Sequence, residues 1–369
     1  MNRSPQYIHG QKIKIAGVWS LIFLSAILAL LVLFLQIRRL SSLTRSNMIG
    51  DGKNVETYGF DFSNCSIHPD EILAAGMPKN GVPVLDAPLV MTPDQVEALN
   101  QEERGKYLVP GDRVIGVEIN GESRAYPLRV LNWHEIVNDV LGHQAIAVTY
   151  SPLCDSAAVY DRSLDGHELR FGVSGLVYNS NPLIYDRQTG GAGESLWIQL
   201  LGQAIAGPHI NRRLKVIPCS LLSWEAWKQL HPDTTVLKPD PARKKLYRKQ
   251  YGNYFGSDDL RFPVKPLPPE GETAKKTPVL IVRIPAPPSE TRKLAPAYLE
   301  KVFFYDDVAA NADASGLWKT EIGQTALHLR YYDHPPAVAL ELNNAQQNSL
   351  EIRYAFWFAW YALTHPGSL

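Results

Sequence analysis

The chain has no excess of charge of either sign, and this limits the partners that its composition favours. Its 369 residues include 37 basic and 37 acidic ones, so the net charge is zero when histidine is neutral. A protein drawn to nucleic acid by its overall field carries a clear positive excess. We therefore predict no nucleic-acid partner. The 45% of hydrophobic residues is ample for a core.

Cysteine is also scarce, with only Cys65, Cys154 and Cys219 in the chain. In an oxidising compartment Cys65 and Cys219 could form a disulfide bond and leave Cys154 unpaired. All three could equally be unrelated buried thiols, because free cysteine is among the most buried residue types. The sequence leaves both alternatives open.

Motifs that would assign a chemistry are missing as well. His134, Glu135 and His143 form no recognised metal-binding spacing such as His-Glu-x-x-His. The stretch from Gly172 to Pro182 lacks the Gly-Lys-Ser/Thr end of a phosphate-binding loop, and its Gly-x-Ser-Gly is not the Gly-x-Ser-x-Gly of a hydrolase. We predict no metal site and no cofactor.

One long hydrophobic run is present, at residues 15–37, and it contains no charged residue. As a helix it would reach roughly 34 Å, enough to cross a bilayer, and it is longer than the apolar core of a cleaved signal peptide. We predict a short N-terminal tail at 1–14 and an uncleaved transmembrane helix at 15–37 that binds the lipid bilayer. Three basic residues on each side leave the orientation nearly tied, and we expect the bulk to be extracytoplasmic.

A faint duplication organises the rest of the chain. Gly142–Tyr150 is echoed by Gly323–Tyr331, and each copy is followed later by a Trp-x-x-Trp helix that runs into His-Pro. A proline-rich stretch between the copies is typical of an extended connector. The predicted divisions are a lead-in at 46–104, a first half at 105–260, the connector at 261–274 and a diverged second half at 275–369.

The local signals of the first half are mainly those of β-hairpins. Asn120-Gly121 lies between two β-like runs and predicts a hairpin with a type I′ turn. Leu131–Leu141 has apolar residues at helical spacing and predicts a helix, and a strand follows to Tyr150. We predict an α+β fold in which antiparallel hairpins dominate, with two weakly repeated halves behind the transmembrane helix.

The best candidate for chemistry is Cys154, just past the point where Pro152 stops this strand. A thiol there has a fixed backbone and open access, and its reactive thiolate form needs a nearby cation, imidazole or helix N-terminus. His134 and Glu135 are the predicted catalytic partners. Weaker candidates for ligand binding come from the same turn, from the position just ahead of the strand and from the glycine-rich stretch: Ser151, Asp155, His143, Ser174, Tyr178 and Asn179.

Several motifs resemble a bacterial family known as domain of unknown function 3179. They are Arg113-Val114-Ile115-Gly116-Val117, Leu131-Asn132-Trp133-His134-Glu135, Val148-Thr149-Tyr150-Ser151-Pro152-Leu153-Cys154, Phe171-Gly172-Val173-Ser174-Gly175-Leu176 and Phe356-Trp357-Phe358-Ala359-Trp360. The resemblance implies that position 151 is usually cysteine and that this turn carries selenocysteine in some members. It points to thiol or selenol chemistry, but Ser151 removes the second thiol from this chain.

Two functions remain open from the sequence. The first is a membrane-anchored extracytoplasmic protein that uses Cys154 as a redox or nucleophilic thiol. The alternative is a non-catalytic module of the cell envelope that binds a small molecule or an envelope protein. A Cys154 buried beyond the reach of His134 and His143 would favour the second.

Overall fold

The computed structural model describes residues 48–102, 106–187, 193–243, 247, 251–271, 273–285, 298–342, 346 and 349–365, together with 27, 28 and 30–32. Residues from Gly50 to Leu369 cluster into one compact unit. Most of the predicted transmembrane helix lies outside the described residues, and the described residues within it are helical. In the part of the chain that the structure describes, no helix is both long enough and apolar enough to cross a bilayer.

The fold is α+β and β-rich, as predicted, and its helices are short. Strands and helices are numbered along the chain. The described α-helices are α1 (Pro93–Glu102), α2 (Leu128–His134), α3 (Trp224–Leu230), α4 (Gly252–Phe255), α5 (Tyr305–Asn311) and α6 (Trp357–Thr364), with 3-10 helices at Val55–Tyr58, Pro69–Glu71 and Pro241–Arg243.

The largest sheet, which we call the long sheet, has eight strands. In spatial order they are β19 (Tyr298–Phe304), β18 (Pro278–Pro285), β23 (Glu351–Phe356), β8 (Ser156–Asp161), β7 (Gln144–Ser151), β6 (Ile136–Leu141) and β2 (Leu85–Asp86), and β15 (Val216–Ile217) also pairs with β8. All these pairs are antiparallel except β2 with β6.

Two sheets of five strands and two smaller ones complete the β structure. The first runs β16 (Ser220–Ser223), β4 (Arg113–Ile119), β5 (Glu122–Pro127), β17 (Thr235–Leu237), β3 (Val90–Met91). The second runs β1 (Ile72–Ala74), β11 (Phe171–Tyr178), β12 (Asn181–Asp186), β13 (Leu196–Ile198), β14 (Gln203–Ala206). The smaller ones are β20 (Leu317–Ile322), β21 (Thr325–Tyr332), β22 (Ala337–Glu341), and the pair β9 (Ser163–Leu164), β10 (His167–Glu168).

One local prediction is confirmed, and a second local feature follows from the nearby sequence. The β4–β5 hairpin turns at Asn120 and Gly121, both with the positive φ that a type I′ turn needs. Helix α1 opens on a capping box, in which the Gln95 amide donates to the Thr92 hydroxyl and the Thr92 amide donates to the Gln95 side chain.

The helix predicted at Leu131–Leu141 is wrong in its bounds. Helix α2 ends at His134, and Glu135 turns the backbone with φ 56° and ψ −33°. The remaining residues form β6, which pairs along its whole length with β7. The apolar residues of β6 fit the spacing of a helix as well as that of a strand. Pairing of all six residues with β7 makes this segment a strand.

Two series of elements follow the same order along the chain. The first is β4, β5, α2, β6, β7, β8 and later β16, α3; the second is β18, β19, α5, β20, β21, β22, β23, α6. Spatial neighbours also correspond, since β5-β4-β16 matches β19-β18-β23. Each series contains a meander of three strands, β6-β7-β8 in the first and β20-β21-β22 in the second. The series exchange these meanders, since β8 of the first pairs with β23 of the second and β22 of the second lies beside β16 of the first.

The core reflects this exchange. Its largest hydrophobic cluster joins Val114 and Val148 of the first series to Leu280, Leu329 and Ile352 of the second. A second cluster places Cys154 with residues of α6 and of the sheet that contains β11 and β12. All three cysteines are free thiols.

Candidate functional site

The segment that joins β7 to β8, residues 151–155, is called here the strand-end turn. Its flanking strands pair as far as Ser151 and Ser156, where Pro152 cannot donate to the ladder. Asp155 closes the turn with φ 45°, an uncommon backbone for a residue with a Cβ. Such conformations persist only where neighbouring contacts hold them.

Asp155 is held by an ion pair that the sequence analysis missed. The Arg113 guanidinium, at the start of β4, donates to both carboxylate oxygens at 3.0 and 2.9 Å. The Tyr150 hydroxyl adds a third hydrogen bond at 2.7 Å. Asp155 is 5% exposed, so this two-pronged contact compensates a charge that is almost out of water.

Cys154 is fully buried and its thiol donates to the Ser180 carbonyl oxygen at 3.2 Å. Burial raises the pKa of Cys154 well above its ordinary value, and the nearby Ser151 side chain opposes the shift without reversing it. The Cys154 carbonyl accepts the Phe356 amide at 2.7 Å. A residue of the second half therefore helps to hold the strand-end turn in place.

His134 is oriented away from the role predicted for it. Its Nδ1 donates to the Pro83 carbonyl at 2.6 Å, and its Nε2 accepts from the Tyr247 hydroxyl at 3.0 Å. Burial lowers the pKa of His134, which keeps the ring neutral. Both ring nitrogens are occupied, and none of the described contacts joins His134 to Cys154.

His143 lies in the turn between β6 and β7, at the other end of β7 from the strand-end turn. Eight residues of strand separate it from Ser151, which is a distance of about 26 Å. His143 is exposed and has φ 63°. The structure therefore does not bring it to Cys154.

Glu135 has a different environment from Asp155. Its carboxylate is partly exposed and makes no hydrogen bond or ion pair with any residue that the structure describes. Burial raises the pKa of Glu135 from 4.5 to about 7. Burial raises the pKa of the Tyr251 hydroxyl, and the nearby charge of Glu135 adds to the rise. The Tyr251 ring lies 6.5 Å from the Trp133 ring between centroids.

Among the described residues, the glycine-rich stretch is joined to the strand-end turn by the hydrogen bond that the Ser180 carbonyl accepts from the Cys154 thiol. Its other predicted residues are separately engaged. Ser174 is buried, and its oxygen accepts the Leu176 amide at 3.0 Å in the β11 bulge. Asn179 accepts the Lys265 amide at 2.8 Å, and burial raises the pKa of Tyr178.

The structure thus divides the predicted residues into groups. Ser151, Cys154 and Asp155 lie together, and Glu135 joins them through its carbonyl, which accepts the Tyr150 amide at 2.8 Å. The sequence analysis did not predict three residues that interact electrostatically with this group: Arg113, Tyr251 and Tyr305. Arg113 alone had a signal, as the first residue of a family motif. Tyr251 and Tyr305 are distant from this turn in the sequence, and no local pattern indicated them.

A comparison with known families matches residues 79–368 to a family described as protein of unknown function (DUF3179). The chain belongs to this family. No curated protein and no solved structure matches it significantly. Among the described residues of this DUF3179 protein, no group of three His, Cys, Asp or Glu side chains is placed to hold a metal ion.

Proposed function

We propose that this DUF3179 protein is a ligand-binding module of the cell envelope that binds a small organic cation at Glu135. The observation that carries the proposal is the Glu135 carboxylate, which is partly buried and has no partner among the described residues. A charge in that position is costly until a cation compensates it. The adjacent rings of Trp133 and Tyr251 offer faces that attract the same cation.

The proposal predicts a specific pH dependence of binding. The pKa of Glu135 near 7 leaves mainly the neutral acid at pH 6 and mainly the carboxylate at pH 8. Benzylamine, a probe with one ammonium and one ring, should bind about tenfold more tightly at pH 8 than at pH 6. Calorimetric titration of the full chain in detergent measures this.

Two controls make that titration decisive. Benzyl alcohol has the ring without the charge and should bind at least tenfold more weakly at pH 8. Glu135→Gln should abolish the pH dependence, whereas Glu56→Gln, at an exposed carboxylate in the first 3-10 helix, should retain it. Equal binding of the amine and the alcohol would refute the proposal.

Thiol chemistry is the second candidate, and the spacing of positions 151 and 154 within the strand-end turn, which is that of a Cys-x-x-Cys pair, favours it. A cysteine at position 151, as the family resemblance implies, would place two sulfurs side by side. We expect Ser151→Cys to form a disulfide with Cys154 under mild oxidation, detected as a mass loss of two hydrogens. In the unmodified protein we expect iodoacetamide at pH 8 to label the partly exposed Cys65 before Cys154. Faster labelling of Cys154 would favour the thiol function.

We also propose that residues 15–37 anchor the protein in a membrane with its bulk outside the cytoplasm. The support is the uninterrupted apolar run in the sequence. The full chain should stay in the membrane pellet after alkaline carbonate extraction, and removal of residues 1–46 should release it. Extraction of the full chain would contradict the anchor.

A duplication is the best explanation that we offer for the two matching series of elements. Aligning Gly142 with Gly323 sets Cys154 opposite Pro335, so the second copy keeps the strands and lacks the thiol. The fold does not require cysteine at that turn. The same alignment sets Glu135 opposite Gly316, so the Glu135 site is proposed for the first copy alone.

A further inference from the structure

A cleft of about 340 Å³ opens away from the strand-end turn, between the first and second series of elements. Its walls include the buried side chains of Ile217, Cys219 and Trp227 on one side and Leu340 on the other. Glu118 and His231 also line it, with 3.7 Å between the Glu118 carboxylate and the His231 Nδ1. Its volume is within the range of sites for small ligands.

Two sheet edges border this cleft. Strand β16 ends the first five-stranded sheet, and β22 ends the three-stranded sheet. Among the described strands, β16 pairs only with β4, and β22 pairs only with β21. Strand β16 lies beside β22 without a hydrogen-bonded pair between them. Leu340 and Glu341 of β22 line the cleft, and the backbone N–H and C=O groups on their outer edge are available to another extended segment.

The corresponding edge in the other series is covered. The alignment of the two series sets Val159 and Tyr160 of β8 opposite Leu340 and Glu341 of β22. On β8 these two residues pair with Ile217 and Val216 of β15, next to the bridge from β8 to β23. On β22 their counterparts line the open cleft.

We infer that the cleft binds a short apolar peptide in extended conformation, which pairs with the outer edge of β22 as β15 pairs with β8. Main-chain hydrogen bonds to the strand edge would supply affinity, and apolar side chains would pack on Ile217, Leu340 and Trp227. A two-residue strand is about 7 Å long, which is the length that β15 covers on β8. This site is separate from Glu135 and does not depend on the function proposed there.

The probe that tests this is acetyl-Lys-Val-Ile-Pro-amide, which copies residues 215–218. Amide hydrogen exchange of the full chain, followed by mass spectrometry, reports on each segment. Saturating probe should slow exchange in residues 337–342 at least threefold and leave β20 unchanged. The same peptide with N-methyl groups on valine and isoleucine cannot donate along a strand edge and should give no protection.

A variant pair adds a second line of evidence. Ser220 lines the cleft at the start of β16, opposite Gly116. Ser220→Tyr fills the cleft and should abolish the protection, and Ser220→Thr should retain it. In the free protein, the amides on the outer edge of β22 must exchange rapidly if this edge is open. The inference is overturned if those amides are already protected without probe, if the methylated peptide protects equally, or if a folded Ser220→Tyr variant responds unchanged.

Discussion

At the scale of single residues, two carboxylates on either side of Tyr150 have opposite surroundings. Asp155 receives three hydrogen bonds, two of them from Arg113. Glu135 receives none from the described residues and has a pKa near 7. Both have a positive φ, at 45° and 56°. One strained residue is therefore stabilised by contacts within the fold, and the other has no such contacts among the described residues, which is the reason for the cation site proposed above.

The raised pKa of Glu135 predicts how stability depends on pH. The folded state holds the proton up to about pH 7, whereas the unfolded chain releases it near 4.5. Stability from this group is thus present at pH 4.5 and is lost as pH rises to 7. Glu135→Gln should gain about 2 kcal/mol over the native protein at pH 8 relative to pH 4.5. Urea unfolding at both values measures it, and a gain independent of pH would be contrary to expectation.

The ion pair of Arg113 with Asp155 gives a second prediction. Arg113→Met removes two of the three hydrogen bonds to the Asp155 carboxylate, which is 5% exposed in the native protein, and leaves Tyr150 as its donor. Loss of one partner of a buried pair costs about 3 kcal/mol. Chemical unfolding near pH 7 should show this loss, and Arg212→Met, at an exposed pair with Asp165, should cost under about 1 kcal/mol. Similar losses for both variants would place Asp155 in a more solvated site.

At the scale of single elements, the sequence predicts what local chemistry determines. The Asn120-Gly121 turn and the capping box at Thr92 depend on neighbouring residues, and both are present. The bounds of α2 depend on pairing between β6 and β7, which local spacing does not reveal. The same limit applies to the site. Cys154 and Ser180 meet because the turn between β11 and β12 lies beside the strand-end turn.

A close contact between β4 and α3 gives a third prediction. A Cβ at Gly116 would lie 2.2 Å from Trp227 Cε3. Trp227 is 2% exposed and its indole donates to Thr234 at 2.9 Å, so it has little room to move. Gly116→Ala should therefore cost about 1–3 kcal/mol, which is typical of overpacking. Gly111→Ala, where no atom lies within 4 Å, is the matched control and should change stability by less than about 0.5 kcal/mol in thermal or urea unfolding.

At the scale of the whole molecule, the two matching series share their sheets and their core. Strand β8 joins the second series at the Tyr354–Ala157 bridge, and β22 lies against β16. Faint sequence echoes indicated the series, but the exchange of meanders depends on long-range pairing that no local pattern encodes. The site has the same origin, since the Cys154 carbonyl accepts an amide from β23.

The exchange predicts that neither half folds alone. Residues 275–369 without the rest would expose Leu280, Val282 and Ile352, which are at most 1% exposed in the intact protein. Residues 50–270 would lose β23 from the edge of β8 and leave Val148 and Val159 uncovered on one face. Three buried aliphatic side chains at about 1.5–3 kcal/mol each amount to about 4.5–9 kcal/mol, which is comparable to the net stability of about 5–15 kcal/mol of a whole domain.

Separate and joint expression of residues 50–270 and 275–369 measures this. Each fragment alone should give a poorly dispersed amide NMR spectrum and no cooperative thermal transition. Expressed together, the fragments should associate in a 1:1 complex that unfolds cooperatively, because the exchanged meanders complete both sheets. A fragment that unfolds cooperatively alone would mean that its own strands suffice, and the shared core would then be an interface between two independent domains.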